Sequence, residues 1–283
     1  MKMAYGTYAM PTVPLEEALP GLAQMGYDGV EICIGPEHTG AQVETLTPQR
    51  RQVLRELLAE HSLGVPALFL LGSLYTPDPE QHEKNMAHVR ACAQLGRDLG
   101  LADDATPVIA VGLGGKRDDW ETIRDDMVRL LEDYARLAEE EDIVVAGEAH
   151  CNAAVDRSER AVWLFERVGS PRVRMHFDIV HMFLAGEDVE EAVRTLVPYT
   201  AHTHITDAIR HDDGSFELVL LGQGQLDGVK YVRAMYEASW NDFITLEVSR
   251  MVWGKEGYDP WAAAQWCYDE LSRCFAEAGV PRG

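Results

Sequence analysis

Four side chains with oxygen or nitrogen donor atoms, each at or just after the end of a short apolar run, constrain this chain most. They are Glu148, Asp178, His204 and Glu247. Asp178 follows Glu148 by 30 residues and His204 follows Asp178 by 26. Each of these intervals suits one strand-helix-strand unit of about 30 residues. The last interval is 43 residues and must contain an extra loop. The spacing therefore predicts that the four side chains lie at the tips of successive parallel strands.

Three carboxylates and one imidazole form an oxygen-rich donor set with open coordination positions. Such a set suits one divalent ion, and we expect Mn²⁺, with Mg²⁺, Co²⁺ and Zn²⁺ as alternatives. The five cysteines are widely spaced and include no Cys-x-x-Cys pair, so a thiolate site is not needed. We expect buried thiols, and we interpret Cys151 as inert rather than nucleophilic.

Length and charge exclude several classes of protein. A chain of 283 residues, 46% of them hydrophobic, can form a single domain over residues 1–283. The formal net charge of −22 repels phosphate backbones and anionic membrane surfaces. No segment approaches the roughly 20 apolar residues of a membrane span, and the first residues lack a signal-peptide core. We therefore expect a cytoplasmic protein with no nucleic-acid or membrane partner.

Apolar runs alternate regularly with helical patterns along the chain. The predicted strands are Met3 to Tyr8, Gly29 to Ile34, Val65 to Leu71, Pro107 to Gly112, Ile143 to Glu148, Val173 to Asp178, Ala201 to Ile205 and Phe243 to Val248. The predicted helices are Leu15 to Met25, Pro48 to His61, Pro79 to Leu99, Asp118 to Glu140, Ser158 to Val168, Val189 to Val197, Asp227 to Ser239 and Pro260 to Ala278. This rhythm predicts an α/β fold, a single (β/α)₈ TIM barrel.

In such a barrel, active-site residues lie at the C-terminal ends of the strands. The four donor side chains would come from the fifth to eighth strands, which are adjacent in the barrel wall. Because neighbouring strands lie about 4.8 Å apart, four side chains can reach one ion. The two-residue period of a strand also places His176 below Asp178 and His202 below His204, facing inward.

Six sequence motifs, in this order, carry a resemblance to a known family. They are Gly26-Tyr-Asp-Gly-Val-Glu31-Ile, Gly147-Glu148-Ala-His150, Phe177-Asp178-Ile-Val-His181, His202-Thr-His204-Ile-Thr-Asp207-Ala, Leu221-Gly-Gln-Gly-Gln-Leu-Asp227 and Ile244-Thr-Leu-Glu247-Val. The chain resembles the xylose isomerase-like TIM barrel superfamily, in the branch of sugar-phosphate isomerases and epimerases, ketose 3-epimerases and inosose dehydratases. The resemblance covers nearly the whole chain.

The resemblance implies roles for particular residues. Similarity to ketose 3-epimerases implies that the four donor side chains are metal ligands and that His181 and Arg210 bind substrate. Two positions differ from the family pattern. Ala154 stands where those epimerases have a second substrate glutamate, and Thr206 stands where much of the superfamily has lysine. The substrate therefore stays open.

Two further residues follow the fifth strand directly. His150 and Asn152 can line the pocket or cap the next helix, and both are candidate substrate contacts. The expected partner is a small sugar or polyol derivative, and homo-oligomer formation is left open. Whether that substrate is phosphorylated is open as well.

The site chemistry predicts a metal-dependent enzyme that moves a proton. An ion that binds the carbonyl and neighbouring hydroxyl of a ketose would stabilise an enediolate, with Glu148 and Glu247 as opposing acid and base. The predicted activity is that of an isomerase or epimerase. A dehydratase would use the same enolate and expel a hydroxyl group, so a lyase acting on an inosose or keto-sugar is the alternative.

Less specific interpretations compete with each of these assignments. The four donors can be a decayed, metal-free site in a binding barrel, His181 a loop histidine, and Arg210 a solvated loop charge. Glu31 is interpreted as a structural hydrogen-bonding residue of the barrel. A DNA-repair endonuclease of the same superfamily is the remote alternative, because it would need a basic groove and further histidines from early strands.

Overall fold

The chain folds into a (β/α)₈ barrel. The structure is a computed structural model that describes residues 1–38, 41–103 and 105–283. The strands are β1 Lys2–Gly6, β2 Gly29–Ile34, β3 Leu68–Ser73, β4 Val108–Gly112, β5 Val144–Glu148, β6 Val173–Asp178, β7 Thr200–Ile205, β8 Asp207–Arg210, β9 Phe216–Val219 and β10 Phe243–Leu246. The helices are α1 Leu15–Met25, α2 Pro48–Glu60, α3 Pro79–Asp98, α4 Trp120–Glu141, α5 Ser158–Val168, α6 Ile179–Leu184, α7 Val189–Leu196, α8 Gly228–Glu237, α9 Arg250–Trp253 and α10 Pro260–Ala278.

Eight of the strands close into a parallel barrel. Their order around the wall is β1-β10-β7-β6-β5-β4-β3-β2, with β2 returning to β1. This arrangement confirms the predicted TIM barrel. Strands β8 and β9 stand outside it as an antiparallel hairpin. The hairpin occupies part of the long interval between His204 and Glu247, where the sequence predicted only a loop.

Local chemistry explains several element boundaries. The Thr47 side chain accepts a hydrogen bond from the Arg50 N–H at 3.3 Å, and Pro48 takes the first helical position of α2, as predicted. Strand β3 begins three residues later than predicted. Pro66 lies in the skipped stretch, and a proline has no N–H to donate to a strand ladder. The short helices α6 and α9 were not predicted, because six and four residues are too few to show a helical period.

The β8–β9 hairpin is tied to the loop that precedes α8 by one buried carboxylate. Asp207 Oδ1 accepts the N–H groups of Ala208 and Leu226 at 2.7 and 2.8 Å. Its Oδ2 accepts those of Gly222 and Gly224 at 3.0 and 2.8 Å. A Cβ atom at Gly224 would lie 2.3 Å from Asp207 Oδ1, so only glycine permits this approach. These contacts give the Gly-Gln-Gly-Gln motif a structural role.

The inner face of the barrel holds few large apolar side chains. A small buried cluster there comprises Cys33, Ala67, Phe69, Ala110 and Ala146. Its small members leave room for long polar side chains that are also buried, namely Glu31, His176, His202 and His204. A much larger apolar cluster packs the outer face of the strands against the helices. Within the part of the chain that the structure describes, no helix has the length and apolar character of a membrane span.

Candidate metal centre

The structure brings the four predicted ligands together at one side of the barrel mouth. Glu148 and Asp178 are the last residues of β5 and β6, His204 lies near the end of β7, and Glu247 follows β10. Donor atoms of Glu148, Asp178 and His204 all lie within 4.8 Å of one another. Glu247 Oε2 lies 3.7 Å from His204 Nδ1. The four side chains can therefore reach a common point.

Two donor atoms of this group are buried without a hydrogen-bond partner among the described residues. They are Asp178 Oδ2 and His204 Nδ1. The other carboxylate oxygen of Asp178 accepts the Val180 N–H at 3.0 Å and so caps α6. Buried polar atoms are nearly always paired with protein, water or an ion. Unpartnered acceptors beside further carboxylates fit a divalent cation, which prefers such oxygen-rich donor sets.

The crowding of buried carboxyl groups changes their proton affinity. Burial raises the pKa of Asp178 to about 6 and that of Glu247 to about 7. Burial, followed by the nearby charge of Glu247, raises the pKa of Glu148 well above its usual range. Burial alone would lower the pKa of His204, but the carboxylates of Glu31, Glu247 and Asp178 together outweigh it and raise this pKa to about 10. The cluster therefore attracts positive charge, which either protons or a metal ion can supply.

His181 lies directly beside the proposed ligands. Its Nε2 is 3.6 Å from Asp178 Oδ2 and 3.8 Å from Glu148 Oε1. The rings of His181 and His150 stand 3.8 Å apart, centre to centre. Burial, and then the proximity of His150, lowers the pKa of His181 well below its usual value. A neutral, buried imidazole in this place can exchange hydrogen bonds with a substrate hydroxyl.

The other two predicted substrate residues, Arg210 and Asn152, are exposed. Arg210 is exposed, and its guanidinium lies 4.2 Å from the centre of the Phe183 ring. The Asn152 side chain is also exposed, while its backbone N–H donates to His150 Nδ1 at 3.2 Å. Cys151 is buried, and burial raises the pKa of its thiol to about 11, so it is not a ready nucleophile. The structure thus brings His181 and His150 together beside the proposed ligands, whereas Arg210 and Asn152 are exposed.

The structure shows the surroundings of Ala154 and Thr206, the two residues that depart from the family pattern. Ala154 is fully buried, and a Cβ atom on Gly115 would lie 2.8 Å from its own Cβ. The Gly115 backbone therefore packs closely against Ala154, and this packing depends on the glycine. The Thr206 hydroxyl donates to the backbone carbonyl of Glu247 at 2.5 Å. Thr206 therefore fixes the backbone beside a proposed ligand instead of offering a cation to the substrate.

Aromatic side chains at or after the first three strands, together with one from α9, form another side of the barrel mouth. This aromatic wall consists of Tyr8, His38, Phe69 and Trp253. The Tyr8 ring lies 5.6 Å from that of His38, 5.9 Å from that of Phe69 and 5.3 Å from that of Trp253. The Phe69 ring lies 5.4 Å from that of His204, so the wall adjoins the ligands. The sequence did not predict this wall, because residue spacing does not show that rings from separate parts of the chain meet.

The fold and the site together place this protein in the class of (β/α)₈ barrels that carry clustered carboxylates and histidines at the C-terminal mouth. The sequence then identifies the family. The family model for the xylose isomerase-like TIM barrel matches residues 21–269. The chain therefore belongs to that family. No protein of curated function matches this sequence.

Solved structures with the same fold include a zinc-binding protein, a probable dehydratase and an epimerase. The IolI protein with a binding zinc atom has 19% identity and a TM-score of 0.79, covering 99% of this chain and 98% of its own. The probable 3-DHS dehydratase AsbF from Bacillus anthracis has 17% identity and a TM-score of 0.76, covering 96% and 99%. The 3-keto-D-glucoside 4-epimerase YcjR from E. coli has 15% identity and a TM-score of 0.73, covering 98% and 99%. At these identities the likeness concerns the fold.

Proposed function

We propose that this protein is a divalent-metal-dependent isomerase or epimerase of a sugar or sugar derivative. The observation that carries the proposal is the convergence of Glu148, Asp178, His204 and Glu247 around two buried acceptors that have no partner in the described chain. These four side chains would hold the ion. The zinc atom bound to IolI and the 4-epimerase activity of YcjR, both on barrels of similar fold, support the proposal.

The placement of the two glutamates supports proton transfer. In the barrel wall, β10 and β5 are the outer members of an arc whose inner members are β7 and β6. Glu148 and Glu247 therefore flank Asp178 and His204, on opposite sides of any substrate bound between them. Both carboxyl groups have raised pKa values, and a general acid or base acts best when its pKa lies near the working pH.

When bound, a divalent ion would polarise the substrate carbonyl and make the neighbouring C–H group acidic. Glu148 would take this proton from one face of the substrate, and Glu247 would return a proton from the other face. The two residues would exchange roles in the reverse direction. His181, beside Glu148, would orient a substrate hydroxyl, and His150 would keep the His181 ring in place. His38 and the rings of the aromatic wall would exclude water on the opposite side.

The test measures the incorporation of deuterium from the solvent into the substrate. Protein loaded separately with Mn²⁺ and Zn²⁺ would be incubated in D₂O with ketoses, inososes and 3-keto-glycosides, and the products followed by NMR. Deuterium next to a carbonyl together with a new epimer or isomer is the expected result. Absence of exchange with every compound and both ions would refute the proton-transfer mechanism.

A metal-dependent dehydratase is the second candidate, and the likeness to AsbF favours it. The same first proton transfer would then be followed by departure of a hydroxyl group. Net loss of water from an inosose or keto-sugar in the same NMR experiment would replace the isomerase proposal by this one. Deuterium exchange with formation of an epimer and no loss of water would exclude it.

The aromatic wall predicts a loss of substrate affinity when Trp253 is truncated. The Trp253 Nε1–H is buried and has no acceptor among the described residues, so a substrate oxygen can take that bond. The ring itself offers an apolar face to the C–H groups of a sugar. Trp253→Ala should raise KM about tenfold, with kcat little changed, since the ring binds ground state and transition state alike.

The matched control is Tyr236→Ala. This ring is 49% exposed on the outer helix α8, so its loss should leave KM unchanged. Trp253→Phe separates the two contributions, because it keeps an aromatic face and removes only the N–H. An unaltered KM in Trp253→Ala would show that the wall does not contact the substrate.

A further inference from the structure

One fully buried carboxylate crosses the barrel to reach the proposed metal centre. Glu31 belongs to β2, which lies on the far side of β1 and β10 from β7. Its Oε2 lies 2.6 Å from His202 Nε2 and 2.8 Å from His204 Nε2. A Cβ atom at Gly6 would lie 2.8 Å from Glu31 Oε1, so the glycine on the neighbouring strand provides space for this side chain. The fold therefore reserves a place for the Glu31 carboxylate.

The contact with Glu31 determines where the hydrogen of each imidazole lies. An ionised carboxylate only accepts hydrogen bonds. Both histidines must therefore carry hydrogen on Nε2. An ion that binds this cluster displaces the second proton of His204, and in the resulting neutral imidazole the other nitrogen, Nδ1, presents its lone pair to the ion.

That acceptor faces further acceptors. His204 Nδ1 lies 3.7 Å from Glu247 Oε2 and is buried without a partner among the described residues. A lone pair and a carboxylate oxygen at this separation repel each other unless a cation lies near both. By fixing the tautomer of His204, the Glu31 carboxylate on β2 thus makes the four proposed ligands suitable for binding an ion.

We infer that Glu31 is the positioning residue of the metal centre: it holds His204 in the tautomer and orientation that leave Nδ1 free to bind the ion. This inference rests on the proposed function. His202 shares the same carboxylate oxygen and so holds the Glu31 side chain in place. A carboxylate that orients a metal-binding histidine also makes the imidazole a stronger ligand, and loss of such a partner typically costs about 10- to 100-fold in metal affinity.

The test replaces Glu31 by glutamine. The amide has nearly the same size, and its oxygen can take the place of Oε2 and accept from both histidines, but it carries no negative charge and so holds their hydrogens on Nε2 more weakly than the carboxylate does. Without that charge, the tautomer of His204 with hydrogen on Nδ1, which cannot bind an ion through that atom, becomes more populated, and the Nε2-protonated form is a weaker ligand. We expect Glu31→Gln to raise the dissociation constant of Zn²⁺ about 10- to 100-fold, measured by competition with a chromophoric chelator.

The matched control is Asp156→Asn, which also changes a fully buried carboxylate into an amide. Asp156 is bound by arginines, with Arg117 Nε and Arg160 Nη1 at 2.8 and 3.0 Å, and is not among the proposed ligands. It should lower the melting temperature without changing the Zn²⁺ affinity. A purely structural role for Glu31 would give this same pattern.

A second measurement needs only the wild-type protein. Long-range ¹H–¹⁵N correlation spectra of the Zn²⁺-loaded protein report which histidine nitrogens carry hydrogen or metal, and we expect one ring with metal on Nδ1 and hydrogen on Nε2. Metal on Nε2 of His204, or equal Zn²⁺ affinity of Glu31→Gln and wild type, would overturn the inference. Wild-type protein that binds no Zn²⁺ would instead remove the metal centre itself, and the inference with it.

Discussion

Replacement of His204 by alanine is expected to abolish binding of the divalent ion and, with it, the activity. The imidazole is the one nitrogen donor among the four proposed ligands, and its Nδ1 is buried in contact distance of the carboxylates. Its removal leaves like charges facing one another with no neutral donor between them. A metal ion contributes several kcal/mol to such a reaction, so kcat should fall by about 10³-fold or more.

Glu148→Gln tests the same site by replacing one of its proposed carboxylate ligands with an amide. Its amide oxygen can still touch an ion weakly, but the group can no longer take or give a proton. We expect a partial loss of bound metal and a fall in kcat of about 10²- to 10⁴-fold. Metal content would be measured by mass spectrometry after dialysis, alongside kcat for the substrate found in D₂O.

The control for His204→Ala is His211→Ala. His211 is exposed in the turn between β8 and β9, so its removal should change neither metal content nor kcat. Full metal content in both His204→Ala and Glu148→Gln would eliminate the proposed site. Loss of the metal with normal activity would show that the reaction does not need the ion.

The sequence predicted the barrel and the meeting of four side chains for a simple reason. A buried parallel strand is mostly apolar, and a carboxylate at the end of such a run indicates its tip. Because all parallel strands of a barrel end at one mouth, residues at four tips must lie close together in space. Glu148 and Asp178 illustrate this, since each is the last residue of its strand.

Contacts across the barrel could not be predicted in this way. Glu31 precedes His202 by 171 residues, and no local pattern relates them, so the sequence indicated only a structural hydrogen bond. The aromatic wall is similar, because Tyr8, Phe69 and Trp253 belong to separate units. The β8–β9 hairpin was missed because each of its strands has four residues, too few to display an alternating pattern.

Asp207→Asn is expected to lower the free energy of unfolding by about 2 to 5 kcal/mol. The native carboxylate accepts four backbone N–H groups, two on each oxygen. An amide keeps one acceptor oxygen and turns an NH₂ group towards two N–H donors. Each buried donor left without an acceptor costs about 1 to 3 kcal/mol, and water entering the loop recovers part of this. Urea unfolding followed by circular dichroism would measure the change.

Asp227→Asn is the matched comparison. Both aspartates accept backbone hydrogen bonds at or just before the start of α8, but Asp207 is buried and accepts four, whereas Asp227 accepts one. Asp227 is exposed and caps α8 through a single bond to the Lys230 N–H at 2.9 Å. Asparagine caps helices about as well as aspartate, so this change should cost less than about 0.5 kcal/mol. Equal stability of the two variants would show that the four bonds of Asp207 do not hold the loop.

The β8–β9 hairpin also carries Arg210, whose N–H donates to Gln225 Oε1 at 3.0 Å within that loop. Loosening the loop should therefore raise KM in Asp207→Asn while the metal content stays that of the wild type.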